Sequence, residues 1–163
     1  ALFAKHYETG EIIPQDYVEK IKESASFLEG MATLRQLSFG LLDMTFHSTN
    51  PTDITDIKAF EKAAFEGTSL YPDVAENCMS VSFSHIFQGG YSSGYYSYKW
   101  AEVLDADAFA YFQEKGIFNT EVATKFKDNI LSKGGTEHPM TLYKRFRGQE
   151  PKPEALLKRA GLI

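Results

Sequence analysis

Residues 16–47, "DYVEKIKESASFLEGMATLRQLSFGLLDMTFH", decide the fold. Val18, Ile21, Ala25 and Leu28 recur at three- and four-residue steps, the period of an amphipathic helix, and Pro14 suits the first turn of one. The spacing predicts a helix ending near Gly30. Beyond it Leu34, Leu37, Leu41 and Met44 share one side of a second helix, while Leu42 and Phe46 widen the stripe until most of its surface is apolar. Such a helix needs partners on several sides.

The same period runs on toward the C-terminus. Asp53 or Thr55 can cap a third helix, whose Ile54, Ile57, Phe60 and Ala64 line up before Gly67 stops it. Residues 67–80, "GTSLYPDVAENCMS", read as a loop. A long helix is expected from near Gly90 to Gly116, with Val103, Leu104, Phe109 and Phe112 on its buried side. Asn119 or Thr120 caps the next, where Val122, Phe126 and Ile130 stand four apart and Gly134-Gly135 is the stop. Pro139 opens "MTLYKRFR" and Pro153 opens "EALLKRAG", with Lys158 and Arg159 set against the negative end of the helix dipole. No internal repeat or strand alternation of any length competes. The fold class is therefore all-α, a helical bundle, and 163 residues that are 43% hydrophobic suit one core and a single domain over 1–163.

Composition narrows the function. Twenty-two acidic against 17 basic residues give a formal charge of -5, with no basic cluster to neutralise phosphates, so nucleic acid is not the expected partner. No apolar run approaches the ~18 residues of a membrane span, so no membrane partner is expected either. The single cysteine, Cys78, has no partner for a disulfide or at metal-ligand spacing. That favours a reducing, cytoplasmic compartment, with a periplasmic one left open. The broad apolar surface of 31–46 predicts self-association of the chain by itself.

Residues 85–100, "HIFQGGYSSGYYSYKW", carry the chemistry. With a helix starting near Gly90, a step of about 100° per residue puts Tyr91, Tyr95 and Tyr98 on one face. Tyr96 and Trp100 fall on the other, where they read as core. For the first three, core packing and substrate contact stand level. Gly89, Gly90 and Gly94 favour contact, since they cost stability while freeing the backbone and letting another chain approach closely. His85 reads first as a buried, hydrogen-bonded histidine. His6, His47 and His138 are set aside as lacking a second histidine or a carboxylate at the four-residue spacing of a zinc helix. The chain carries no H-E-x-x-H, no P-loop, no G-x-S-x-G and no dinucleotide fingerprint, so no complete catalytic apparatus is visible.

The stretch "FSHIFQGGYSSGYYSYKW" (83–100), followed by "FKDNILSKGGTEHPMTLYKRFRGQEPKPEALLKRAGL" (126–162), closely resembles the C-terminal part of the thimet oligopeptidase and neurolysin family of zinc metallopeptidases. Upstream, "FAKHYETGEIIPQDYVEKI" (3–21) and "LLDMTFH" (41–47) fit the same family, so the resemblance covers nearly the whole chain. Within the family, the five residues between His85 and Tyr91 resemble the bacterial peptidyl-dipeptidase (dipeptidyl carboxypeptidase) branch. The resemblance implies a two-lobed helical peptidase around a deep channel, hydrolysing short peptides and, in that branch, releasing C-terminal dipeptides. It also implies a zinc held by H-E-x-x-H and a later glutamate, upstream of Ala1, so that this chain is a fragment binding no metal. Its partners are then that upstream zinc-binding part and the peptide substrate. By the same resemblance His85, Tyr91 and Tyr98 reach the scissile region, the tyrosines donating hydrogen bonds to carbonyl or oxyanion, and Tyr95 walls the channel. Gly89, Gly90 and Gly94 let the segment close over bound peptide. Gln88 and Lys99 depart from the family pattern. A non-catalytic helical peptide-binding module remains the alternative. A purely structural bundle is a third reading, in which the Tyr91 and Tyr98 hydroxyls are buried against main chain.

Overall fold

A computed structural model describes residues 3–163. Seven α-helices lie among the described residues, which form no strand beyond one isolated bridge, Lys5 to Ile12. None of the described helices is long and apolar enough to cross a membrane.

The opening helices divide earlier than their periodicity implies. Helix α1 (Gln15–Ser24) stops before Gly30, and α2 (Glu29–Ser48) takes Gly30 into its first turn. Serine hydroxyls explain the break: Ser24 donates to the Ile21 carbonyl and Ser26 to that of Glu23, so side chains compete with the helix ladder. Leu28, at φ 55°, then turns the chain. Helix α3 (Ile57–Ala64) is capped by Asp56, whose carboxylate accepts from the amides of Lys58 and Ala59, and not by Asp53 or Thr55. Asn50 and Pro51 explain the shift, since they wind Pro51–Asp53 into a separate 3-10 turn and leave Ile54 outside the helix.

The long helix α4 (Ser97–Lys115) starts later than Gly90, because Gly89, Gly90 and Ser93 all hold positive φ and interrupt helical winding. Its buried side is Val103, Ala106, Asp107 and Ala108, whereas Phe109 is exposed. Asn119 caps α5 (Thr120–Phe126), which runs into a π-helical turn, Lys127–Leu131. Pro139 opens α6 (Pro139–Arg147) and Pro153 precedes α7 (Glu154–Arg159), as expected. Helix α7 packs along α4, and the chain returns to its beginning: a Cβ on Gly161 would press on Ser26 at 3.3 Å.

Three clusters make the core, two of them aromatic and the third a small one of Val103, Ala106 and Leu156 between α4 and α7. Phe39 and Leu42 of α2 meet Phe83 and Ile86, with Tyr95 packed against them. Ala108, Val122 and Phe146 join α4, α5 and α6, with Tyr111, Phe112, Phe126 and Ile130 around them. Tyr96 and Trp100 join none of them, being 59% and 44% exposed, which corrects their reading as core. Tyr96 instead borders an open apolar groove of about 460 Å³ with Leu37, Gly40, Leu41 and Met44 of α2.

Three carboxylates are buried among these clusters, and each is held by donors, as burial of a charge demands. Glu61 accepts from the amides of Met79 and Ser80 and from the Ser80 hydroxyl, fixing the loop after α3. Burial pushes its pKa up, but those hydrogen bonds and one from Cys78 outweigh it and hold the carboxyl below the usual range. Asp107 accepts from the Tyr143 hydroxyl at 2.6 Å and pairs with Arg147 at 3.3 Å, locking α6 to α4. Asp43 lies under the tyrosine-rich segment.

Candidate functional site

The tyrosine segment leaves the 3-10 turn Ser84–Ile86, passes Gly89 and Gly90, and folds through two tight turns into α4. In the first the Gly94 amide donates to the Tyr91 carbonyl; in the second the Ser97 amide donates to that of Gly94. The first of these turns carries Ser93 at φ 55° and is not helical. Tyr91, Tyr95 and Tyr98 nevertheless come together on one side, although α4 begins only at Ser97. Tyr91 and Tyr98 stack at 5.2 Å with 22° between ring planes, and Tyr95 lies 5.0 Å from Tyr98. His85 stands at the edge of the group, 6.1 Å from Tyr91 between ring centres.

Each ring has a distinct anchorage. Tyr95 packs edge-on against Phe83 and Phe39, so one side of it belongs to the core and the other to the site. Tyr98 keeps 41% of its surface exposed. His85 is exposed as well, which corrects its first reading as a buried residue. Both Tyr98 and Tyr95 hold their protons more tightly than an ordinary phenol. For Tyr98 the main cause is hydrogen bonding with Tyr91, followed by burial against its neighbours. For Tyr95 it is burial, opposed by Arg35 and Gln36. Protonated phenols are donors, so the site presents hydroxyl donors to whatever lies over it.

The three glycines separate on backbone grounds. Gly89 and Gly90 hold φ of +78° and +84°, and a Cβ on Gly90 would meet nothing within 4 Å. Their need is conformational. Gly94 has no positive φ, and a Cβ there would sit 3.5 Å from the Tyr91 carbonyl oxygen, an ordinary contact. It lies in a turn before the helix and not within it. Gly90→Ala is therefore expected to destabilise by about 1–2 kcal/mol, the cost of a left-handed L-residue, whereas Gly94→Ala should be nearly neutral. Thermal unfolding of the two variants checks this; equal losses would contradict the backbone described.

Sequence reasoning missed Asp43. Its carboxylate is fully buried and accepts from the amides of Ser93 and Tyr95, both at 2.9 Å. His47 approaches the same group at 2.9 Å, so that histidine does have a carboxylate four residues away, against the sequence reading. An acid set inside the apolar stripe Leu41, Leu42, Met44 and Phe46, with a histidine one turn on, was the available signal. Among the described residues no group of three His, Cys, Asp or Glu side chains stands close enough to hold a metal ion, so these residues do not fit a zinc site.

Similarity to known proteins agrees with the residues. Oligopeptidase A of Escherichia coli (strain K12) is 44% identical over 99% of this chain. Probable cytosolic oligopeptidase A of Arabidopsis thaliana is 41% identical over 98%, and the dipeptidyl carboxypeptidase of Escherichia coli (strain K12) is 34% identical over 99%. The chain spans about a quarter of the length of these relatives, 24% in each. Identity is thus higher to oligopeptidase A than to the dipeptidyl carboxypeptidase, against the branch drawn from the His85–Tyr91 spacing. The model of peptidase family M3 matches residues 1–162, and the chain belongs to that family.

Proposed function

We propose that this chain is the C-terminal, substrate-facing portion of a zinc metallopeptidase that hydrolyses short peptides. The observation that carries the reading is the gathering of Tyr91, Tyr95 and Tyr98 into one half-open group, with the Tyr98 phenol exposed and held protonated. A peptide carbonyl lying over it receives hydrogen bonds from the Tyr98 and Tyr91 hydroxyls. Those bonds strengthen as negative charge develops on the oxygen, because fixed donors favour an oxyanion over a neutral carbonyl. Tyr95 forms a wall, His85 holds the peptide at the rim, and Gly89 and Gly90 give the adjoining segment its freedom. The metal, which polarises the scissile bond in such enzymes, is assigned to the part of the parent outside this chain.

Release of C-terminal dipeptides is the narrower form of this reading. The five-residue spacing from His85 to Tyr91 supports it, and the higher identity to oligopeptidase A weighs against it. The rest of the parent is assigned to the open face of Leu37, Leu41, Met44 and Tyr96, which are 43%, 48%, 46% and 59% exposed; the isolated chain is expected to self-associate there. A cytoplasmic location is supported by one relative's name, probable cytosolic oligopeptidase A.

Short-peptide hydrolysis by the full-length parent tests the proposal, with this chain alone as control. The parent should cleave, lose activity to a chelator and regain it with zinc, while the chain alone neither cleaves nor retains stoichiometric zinc after dialysis. A parent that binds peptides without cleaving them would leave the binding-module alternative in place of this one.

A further inference from the structure

We propose that Asp43 is a positioning residue for the tyrosine site, fixing from α2 the turn that presents Tyr95 and Tyr98. The inference rests on the tyrosines acting as proposed above. Asp43 lies 50 and 52 residues before the amides it accepts, Ser93 to Oδ1 and Tyr95 to Oδ2, each at 2.9 Å. Its side chain is inaccessible to solvent. A carboxylate in such a place is costly unless its oxygens are hydrogen-bonded, and here both are.

His47 supplies a third contact. Its Nδ1 is 2.8 Å from the main-chain oxygen of Asp43 and 2.9 Å from Oδ1. A carbonyl oxygen only accepts, so Nδ1 carries a proton and donates. The histidine therefore holds the same oxygen, Oδ1, that accepts from the Ser93 amide.

The two oxygens of one carboxylate span the amides of residues 93 and 95, and that fork defines the turn between them. Ser93 holds φ 55°, a conformation that L-residues other than Asn and Asp rarely keep without compensation. The bond to Asp43 holds its amide in that conformation. Ser92 closes the turn from the other side, its hydroxyl donating to the Ile86 carbonyl at 2.8 Å. Mobility is thus confined to Gly89 and Gly90, and the tyrosines ride on a fixed mount; the expected closure of the whole segment narrows to its rim. Glu61 offers a natural contrast. It grips the Met79 and Ser80 amides in the same manner, yet its loop carries none of the site tyrosines.

The test uses the full-length parent. Asp43→Asn keeps the shape but turns an amide N–H₂ toward one of two N–H donors. The expected loss is about 10²-fold in kcat, the scale of a small misplacement of reacting groups, with KM little changed. In a Tyr98→Phe background the same substitution should cost far less, because both act through one hydroxyl. Glu61→Gln should lower the unfolding temperature and leave kcat unchanged. If Tyr98→Phe is itself without effect, the proposed function fails. If Tyr98→Phe is harmful but Asp43→Asn leaves kcat intact, or multiplies with it independently, only the role of Asp43 fails. Should Asp43→Asn not fold, amide hydrogen exchange of the unmodified parent decides. Slow exchange at Ser93 and Tyr95 beside fast exchange at Gly89 and Gly90 supports the mount, and uniformly fast exchange from 89 to 95 overturns it.

Discussion

Tyr98→Phe in the full-length parent should lower kcat by roughly 10²–10³-fold, the scale seen when one donor to a developing oxyanion is removed. The substitution deletes one hydroxyl and keeps the ring. The stack on Tyr91 and the contact with Tyr95 therefore survive, and folding should be little affected. KM should move far less than kcat, because the lost bond is stronger in the transition state than to the neutral carbonyl. Peptide-hydrolysis kinetics at several substrate concentrations check this. A normal kcat with a raised KM would reduce Tyr98 to a binding contact.

Two neighbours sharpen the result. Tyr91→Phe should resemble Tyr98→Phe and take a larger share in KM, since Tyr91 directly follows Gly89 and Gly90, both at positive φ. It should also lower the Tyr98 pKa, because hydrogen bonding with Tyr91 is the main cause of the rise. Tyr96→Phe is the control. Tyr96 borders the apolar groove against Gly40 and Leu41 and has no place in the ring group, so catalysis should hardly change. A parent in which Tyr96→Phe abolishes kcat while Tyr98→Phe does not would mean that the faces are assigned backwards.

Local patterns carried most of the helices, and what they missed has a common cause. Asn119, Pro139 and Pro153 mark helix starts correctly because capping and proline geometry act within a few residues. Asp56 caps α3 where Asp53 or Thr55 is expected, because Pro51 winds an extra turn that apolar spacing does not register. The tyrosine group was legible despite a misplaced helix start and a left-handed Ser93 in the turn, since the turns before α4 still bring Tyr91, Tyr95 and Tyr98 together. Asp43 was not, because its partners are amides about fifty residues away and a backbone donor leaves no mark in a sequence. Tyr96 and Trp100 misled for another reason: large aromatics at helical spacing usually pack inside, and here that face is open.

Phe146→Ala should be the most destabilising single change, costing about 3–5 kcal/mol, the range for deleting a fully buried phenylalanine. Phe146 is 2% exposed and stands where α4, α5 and α6 meet. Phe126 and Tyr111 meet it edge-on at 5.2 and 5.6 Å, and Tyr143 at 6.1 Å. None of these rings can close the gap without giving up its own partners. Tyr143 is tied to Asp107 through its hydroxyl, and Tyr111 lies under the Arg147 guanidinium at 4.9 Å. The cavity therefore stays open, and the transfer and cavity costs add. Because single domains are stable by only about 5–15 kcal/mol, the variant should lose a large part of its folding free energy. Urea unfolding of the chain followed by circular dichroism measures the loss. Phe118→Ala is the matched comparison, since Phe118 is 88% exposed and should change stability by less than about 0.5 kcal/mol. In the parent, protein that still folds should retain kcat, because Phe146 packs the far half of α4 and Tyr98 sits at its start. Equal losses from the two phenylalanines would mean that the junction of the three helices is not packed as described.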